Sequence, residues 1–424
     1  MKNKNLFLSK VILSVISITA LVASCNKEKT NSLQELDSNR TIIFENVTKV
    51  KKYVQSGVFK GIGSIENNGK KIENLILPGQ SVSIDFFAGK GQKFMFATMF
   101  GASKDWFFAS LQPGIKLFDD NGKPITGKVD ASQVRLWDNG SKNDETGAAE
   151  SNNITSITEM KKAGELMELM LKFDEKTSKF TLTITNTSKD KKDNSGKSLE
   201  TPFSPGVWAV ANVLGERLLD ETPFFMVGKK SNPEISKLSE MGDTTPLYKK
   251  VQMETGIITG FSPAVVVVYQ GITNPIYQLG KKEKGNGLKE LSQMGMTDKL
   301  QKELAKIPGV KAVYVVGNSP IAPATKVSSN AIKIGQGDKI AFASMFGYSN
   351  DWFCANEDEI SANFRGDLTD KTALLDSGTG IDQFTGAGNK QALFGGTPEA
   401  EDKNVEKVTQ PMLKVSDFLK VTLQ

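Results

Sequence analysis

Chemistry at a protein site needs a nucleophile, a base or ligand atoms, and this chain of 424 residues lacks the commonest of them: it has no histidine and only two cysteines, Cys25 and Cys354. Without imidazole, the usual general base and the most frequent nitrogen ligand for metals are missing. Ser-His and Cys-His catalysis and histidine-bearing zinc sites are therefore excluded. Three motif fragments fail on spacing. Gly196-Lys197-Ser198 ends like a phosphate loop, but Lys191 stands where the earlier glycine is required. Gly260-Phe261-Ser262-Pro263-Ala264 approaches a nucleophile elbow, yet it lacks the last glycine and Ser262 has no histidine to activate it. Asp119-Asp120-Asn121-Gly122 has the wrong spacing for an EF-hand loop. Carboxylates remain, 48 Asp and Glu in all, and a pair of them can still do acid–base work of the kind a glycosidase uses.

The elements that must position any such group read mostly as β. Val82, Ile84 and Phe86 alternate with Ser81, Ser83 and Asp85, and Phe180, Leu182 and Ile184 alternate with threonines, as in strands with one buried face. Val265 to Val268 is a continuous apolar run suited to a strand buried on both faces. Asp120-Asn121-Gly122 between apolar flanks predicts a hairpin turn. Helices are few: Asn232-Pro233-Glu234 supplies a cap, a first-turn proline and an acid, with Gly242 as the stop. Leu288, Leu291, Met294, Leu300 and Leu304 keep helical spacing up to Pro308-Gly309. Many short strands with glycine-rich turns predict antiparallel β-sandwiches.

Composition sets the frame. Hydrophobic residues at 38% and 24 phenylalanines suffice for a sizeable core, and 24% charged residues is ordinary for a soluble protein. Lys2, Lys4 and Lys10 supply three of the five net positive charges, so the rest of the chain sits at +2 and offers no electrostatic case for nucleic acid. Lys2 and Lys4 as a positive start, the apolar run Val11 to Ala23 and the small residues before Cys25 predict a secretory leader over 1–24. The apolar run is shorter than the ~20 residues a spanning helix needs. The end of the leader resembles a bacterial lipobox, which makes Cys25 the lipidation candidate and 25–39 a polar tether. The expected location is the cell envelope, as an outer-membrane lipoprotein exposed at the surface, with the membrane reached through lipid on Cys25.

The chain also repeats itself. Gly91–Ala109 aligns with Gly337–Ala355, with twelve of nineteen positions identical, and Leu136–Asp144 aligns with Leu374–Asp382. Between them, Thr201–Val210 is echoed by Thr259–Val268, Pro223–Lys230 by Pro275–Lys282, and Leu238–Gly242 by Leu291–Gly295. The expected division is a first sandwich over 40–198, a duplicated strand–helix unit over 199–254 and a second sandwich over 255–424.

The segment Phe-x-x-Ser-x-Asp-Trp-Phe at Phe100–Phe107 and Phe346–Phe353 resembles a signature of the spondin N-terminal domain family. Pro78-Gly79-Gln80, Gly114–Asp119, Leu136–Gly140 and Ser204–Trp208 support it, and the resemblance covers most of the chain from about residue 40. It implies tandem antiparallel β-sandwiches whose end loops hold calcium, and a role in adhesion. The matching acids are Asp105 with Asp138 and Asp351 with Asp376, and Asp144 and Asp382 add a third in each repeat. Calcium takes six to eight oxygens, which carboxylates from separate loops can supply. The family commonly has an acid two residues beyond the glycine of its Asp-x-Gly segment, whereas this chain has Lys142 in one repeat and Gly380 in the other. Without a cation, Asp105 and Asp351 would instead accept loop hydrogen bonds and Asp138 and Asp376 would form turns. Trp106 and Trp352 are expected as core plugs and Cys354, in the place of Phe108, as a small buried filler. The resulting expectation is a lipid-anchored binding or adhesion protein that is not an enzyme, with an extracellular protein or glycan as ligand. A carboxylate-dependent enzyme and a passive spacer are the rivals.

Overall fold

Alternating side chains build the sheets where expected. The computed structural model describes residues 38–424 apart from 159–162, 216, 362 and 410–412; the expected leader, Cys25 and the expected tether up to residue 37 lie outside the described residues, while residues 38 and 39, expected in the tether, begin strand Ser38–Arg40. Strand Lys179–Asn186 is buried at every second position and pairs with Ser81–Phe87 on one side and Met167–Asp174 on the other. With Gly127–Lys128 these make a four-stranded antiparallel sheet. Facing it is a larger sheet in the order 155–156, 134–138, 106–110, 93–100, 203–211, 53–59. The core between them is phenylalanine-rich, with Phe86 set 4.5 Å from Phe94 and 5.6 Å from Phe180. Such aromatic pairs add to burial through their edge and face charges.

The outer face of the larger sheet is covered in turn by helices Pro233–Met241 and Thr245–Met253. Ile235, Leu238, Leu247 and Val251 pack on Met95, Ala97, Phe107 and Val207. Each sandwich thus has three layers, and a central strand buried on both sides must be apolar throughout. The first helix begins and ends as the sequence predicts: the Asn232 side chain accepts from the Ile235 N–H at 3.0 Å, and Gly242 closes the helix in the left-handed region at φ 67°.

The second sandwich repeats this plan. Its large sheet runs 310–316, 264–269, 339–345, 352–356, 372–376, 406–407, which matches the first in reverse listing, with Ala264–Tyr269 buried at all six positions. Its helical layer is again two helices, Leu288–Met294 and Asp298–Leu304, where the helical spacing in the sequence runs on through both to Pro308-Gly309. Gly295 at φ 71° turns the chain left-handed between them, so one apolar spacing serves two segments. The Asp119–Gly122 turn closes with the Gly122 N–H on the Asp119 carbonyl, and Phe118 bridges Pro124 instead of opening a longer hairpin. Among the described residues no helix is long and apolar enough to cross a membrane.

The boundaries differ from the expected 40–198, 199–254 and 255–424. Strand Ile42–Asn46 lies in the second sandwich, between Lys326–Ser328 and Leu419–Leu423, and Ser38–Arg40 pairs with Ile332–Ile334. Strand Phe203–Ala211 is no separate unit: it sits between Lys93–Phe100 and Tyr53–Phe59 inside the first large sheet. Two asparagines show that the positions correspond. Asn186 Nδ2 donates to the carbonyls of Ile76 and Thr201 at 2.8 Å each while its Oδ1 accepts from the Ser188 N–H. Asn46 does the same with Thr259 at 2.9 Å, Ile321 at 2.8 Å and the Thr48 N–H. The second sandwich is therefore a circularly permuted copy of the first, with one strand supplied from the start of the folded chain.

Candidate metal centre

Asp105 and Asp351 each sit just before a strand that opens with tryptophan, and Asp138 and Asp376 end the neighbouring strand, where the register pairs Asp138 with Trp106 and Asp376 with Trp352. The pairing brings the two acids of each repeat to the same end of the large sheet. After the second acid the chain turns tightly. The Gly140 and Gly378 N–H groups donate to Asp138 and Asp376 at 2.7 Å, and both glycines have φ 69°. A side chain on Gly378 would also press on the carbonyl oxygen of Lys403, 2.6 Å from its Cβ, so glycine is required twice over.

Beyond the turn the loop folds back over the first acid. In the second repeat Asp351 Oδ2 accepts from the Ser377 hydroxyl at 2.8 Å, the Thr379 N–H at 2.6 Å, the Thr379 hydroxyl at 3.2 Å and the Gly380 N–H at 2.9 Å. In the first repeat Asp105 Oδ2 accepts from the Ser141 N–H and hydroxyl and the Lys142 N–H at 2.8–3.1 Å. The structural roles expected of these acids are thus present. They use only one oxygen. Asp105 and Asp351 are both fully buried, and Oδ1 of each has no hydrogen-bond partner. A buried carboxylate oxygen left without a donor is costly, and a bound cation is one way to satisfy it.

The two repeats then diverge. Ligand oxygens of Asp351, Asp376 and Asp382 come within 4.8 Å of one another, the one group of this kind among the described residues. Burial, and then the charge of Asp351, push the Asp376 carboxyl up to about 7. Asp382, the most exposed of the three, is also pushed up to about 7, by lost hydration and then by Asp376 and Asp351; the Trp352 indole N–H lies on its side without closing a full hydrogen bond. Burial raises Asp351 as well, against the pull of the donors on Oδ2. Three acids that each resist ionisation form a place where positive charge is wanted.

Asp105, Asp138 and Asp144 do not close to that distance. Asp144 instead takes the Trp106 indole N–H at 3.0 Å, and lost hydration followed by Asp138 pushes it up to about 6. Burial, then the charges of Asp105 and Glu150, raise Asp138. The Lys142 ammonium reaches Glu240 at 3.4 Å, and Glu240 also accepts from Ser141. At the same places the second repeat has Gly380 and Gln293, whose amide donates to the Thr379 carbonyl and hydroxyl at 2.9 and 3.0 Å. An ion pair in one repeat is replaced by a neutral pair in the other. A Cβ on Gly380 would stand 3.5 Å from the Asp351 carboxyl carbon, so the backbone approaches that acid closely, and the cation near this site is Lys403, whose ammonium pairs with Glu401 at 2.6 Å.

A fourth acid in each repeat escaped the sequence reading. Glu150 and Glu401 follow the bridges Lys142–Ala149 and Gly380–Ala400, and each N–H donates to the equivalent carbonyl, Ser141 or Thr379. Each adds negative potential at the neighbouring aspartates. The short match Ala149-Glu150 with Ala400-Glu401 was the available signal, hidden by a loop of different length in the two repeats. Trp352 is a core residue as expected, 2% exposed beside Phe346, whereas Trp106 is only half-buried, stacked on Phe100 at 6.1 Å at the edge of the core with its indole N–H on Asp144. Cys354 is a buried free thiol in the place of Phe108, and burial pushes its pKa upward.

No protein-family model and no curated protein matches the chain, so the site is read from its own geometry.

Proposed function

We propose that this chain is a lipid-anchored binding or adhesion protein of the cell envelope whose second sandwich holds a calcium ion. The observation that carries the cation is the convergence of carboxylate oxygens of Asp351, Asp376 and Asp382 to within 4.8 Å of one another, in a site where Oδ1 of the buried Asp351 has no hydrogen-bond partner. The donors are all oxygen, with Glu401 close enough to add charge and no imidazole or thiolate present, and such a set suits a hard cation rather than zinc or copper. When bound, the ion would supply positive charge directly at the three aspartates, beyond that of Lys403, which is paired with Glu401 at 2.6 Å. Asp351 would hold it from the buried side and Asp376 and Asp382 from the open side. The first repeat keeps the fold of the site, but its three acids do not gather to within 4.8 Å and Asp144 accepts from the Trp106 indole instead, so one ion per chain is expected.

Adhesion is supported by the missing catalytic set, the tandem modules and the resemblance to spondin domains. The near-neutral pKa values of Asp376 and Asp382 favour a second reading, a carboxylate-dependent hydrolase, which glycoside turnover lost in Asp382→Asn would establish. The test of the first reading is a calcium titration of the melting temperature. An ion bound only by the folded state at 100 times its Kd stabilises by about 2.7 kcal/mol. Asp376→Ala should abolish the shift and Asp138→Ala should leave it. No shift, or the reverse assignment, overturns the calcium site. Failure to bind matrix proteins, glycans or cells, with calcium or with chelator, overturns the adhesion role.

A further inference from the structure

The loop that follows Asp382 does something its counterpart does not. Four residues, 145–148, lie between Asp144 and Ala149, whereas seventeen, 383–399, lie between the equivalent Asp382 and Ala400. The insertion runs directly from the acidic cluster onto the first sandwich. The Gln383 N–H donates to Asn350, the residue before Asp351, at 2.9 Å. Phe384 stacks on Phe87 of the first sandwich, ring centroids 5.0 Å apart and planes 13° from parallel. The Gly386 carbonyl accepts from the buried amide of Gln92 at 2.9 Å, and the Asn389 N–H donates to the Ser178 hydroxyl at 2.9 Å. Ala387 is fully buried and belongs to the first sandwich's own core. Phe394 lies so close to Gly89 that a Cβ there would fall 2.5 Å from its ring.

We infer that the cation at Asp351, Asp376 and Asp382 is a latch between the two sandwiches: it fixes the start of the 383–394 insertion and so clamps the second module onto the first. The inference rests on the calcium reading of the site. Its physical basis is continuity. Asp382 is the exposed, repelled end of the acid cluster, and the next residue already belongs to the docked segment, so the charge that draws Asp382 inward also sets where Gln383 and Phe384 lie. With no cation, the start of the insertion is held by the Gln383–Asn350 hydrogen bond and the Phe384–Phe87 stack rather than through Asp382. In the first repeat the same turn carries no insertion, and its acids do not gather to within 4.8 Å.

Hydrogen exchange on the purified protein, in calcium chloride and in EDTA, tests this. Calcium should slow exchange of the amides of Gly386, Ala387, Asn389 and Lys390 by about tenfold or more, in the range typical of coupled sites, beyond any slowing that Leu182 and Ile184 in the first core show from global stabilisation. Because coupling is reciprocal, Phe384→Ala should weaken calcium binding, measured by calorimetry, by the factor the docking contributes, and should leave the stoichiometry at one. If calcium binds yet slows exchange over 386–390 no more than at Leu182 and Ile184, or if Phe384→Ala leaves the affinity untouched, the latch is overturned and the calcium site stands. If calorimetry shows no binding at all, both fall together.

Discussion

Asp351 is asked to do two things with one carboxylate. Its Oδ2 ties down the loop through four donors, and its Oδ1 is left for whatever charge the site takes. The consequence is a sign that can be measured. In the metal-free protein Asp376 and Asp382 hold their protons up to about 7, whereas in the unfolded chain they release them near the usual carboxylate value of about 4. Between those limits the folded state binds more protons than the unfolded one, so this contribution to stability is complete below about pH 4 and is lost as pH rises through about 7. In EDTA the melting temperature should therefore carry a falling component from pH 4.5 to 7.5, and Asp382→Asn should flatten it. Saturating calcium should flatten it too, and calcium affinity should drop as protons compete below pH 7. A wild-type profile in EDTA identical to that of Asp382→Asn would show that these groups are not repelled as described.

At the scale of elements, the strands depend on a few polar clamps as much as on apolar alternation. Asn46 holds two carbonyls from two different loops, next to the ends of strands that come from opposite ends of the chain. Asn46→Ala leaves the Thr259 carbonyl and the Thr48 N–H without a partner, while the Ile321 carbonyl keeps the Phe261 N–H, and at about 1–3 kcal/mol for each unsatisfied group a loss of ~2–4 kcal/mol is expected. Chemical denaturation followed by tryptophan fluorescence would measure it. Equal stability to wild type would mean that water replaces the amide. Elements of this kind also show what the residue pattern could disclose. Period-two alternation at 180–184, the all-apolar run at 265–268 and the cap and stop at Asn232 and Gly242 were legible because each depends on neighbours in sequence. The break at Gly295, the burial of Asp351 and the approach of Glu401 were not. They depend on which loop lies across the sheet end, and a glycine or a glutamate in a loop looks the same whether or not a neighbouring loop covers it.

At the scale of the whole molecule, the repeat was visible as a pair of aligned blocks, but blocks in order do not say which strands pair. The first forty-odd residues look like the start of the first block, and by register they complete the second: Ile42–Asn46 lies between Lys326–Ser328 and Leu419–Leu423, and both its neighbours need it as a hydrogen-bond partner. A chain that begins in one module, builds the other and returns ties the two together by topology, and the 383–394 insertion ties them again by contact. The modules cannot then be separated by cutting between repeats. A fragment of residues 255–424 lacks a central strand, exposes two unpaired strand edges over the apolar face formed by Ile332, Ile334, Val421 and Leu423, and should aggregate or stay unfolded. A fused version in which residues 38–48 are joined after Gln424 through a flexible linker should fold, because it restores the strand in the order the first module uses. Circular dichroism and size-exclusion chromatography of the two fragments would decide. A soluble, cooperatively melting 255–424 would mean that the strand from the start of the chain only decorates a sandwich already complete without it.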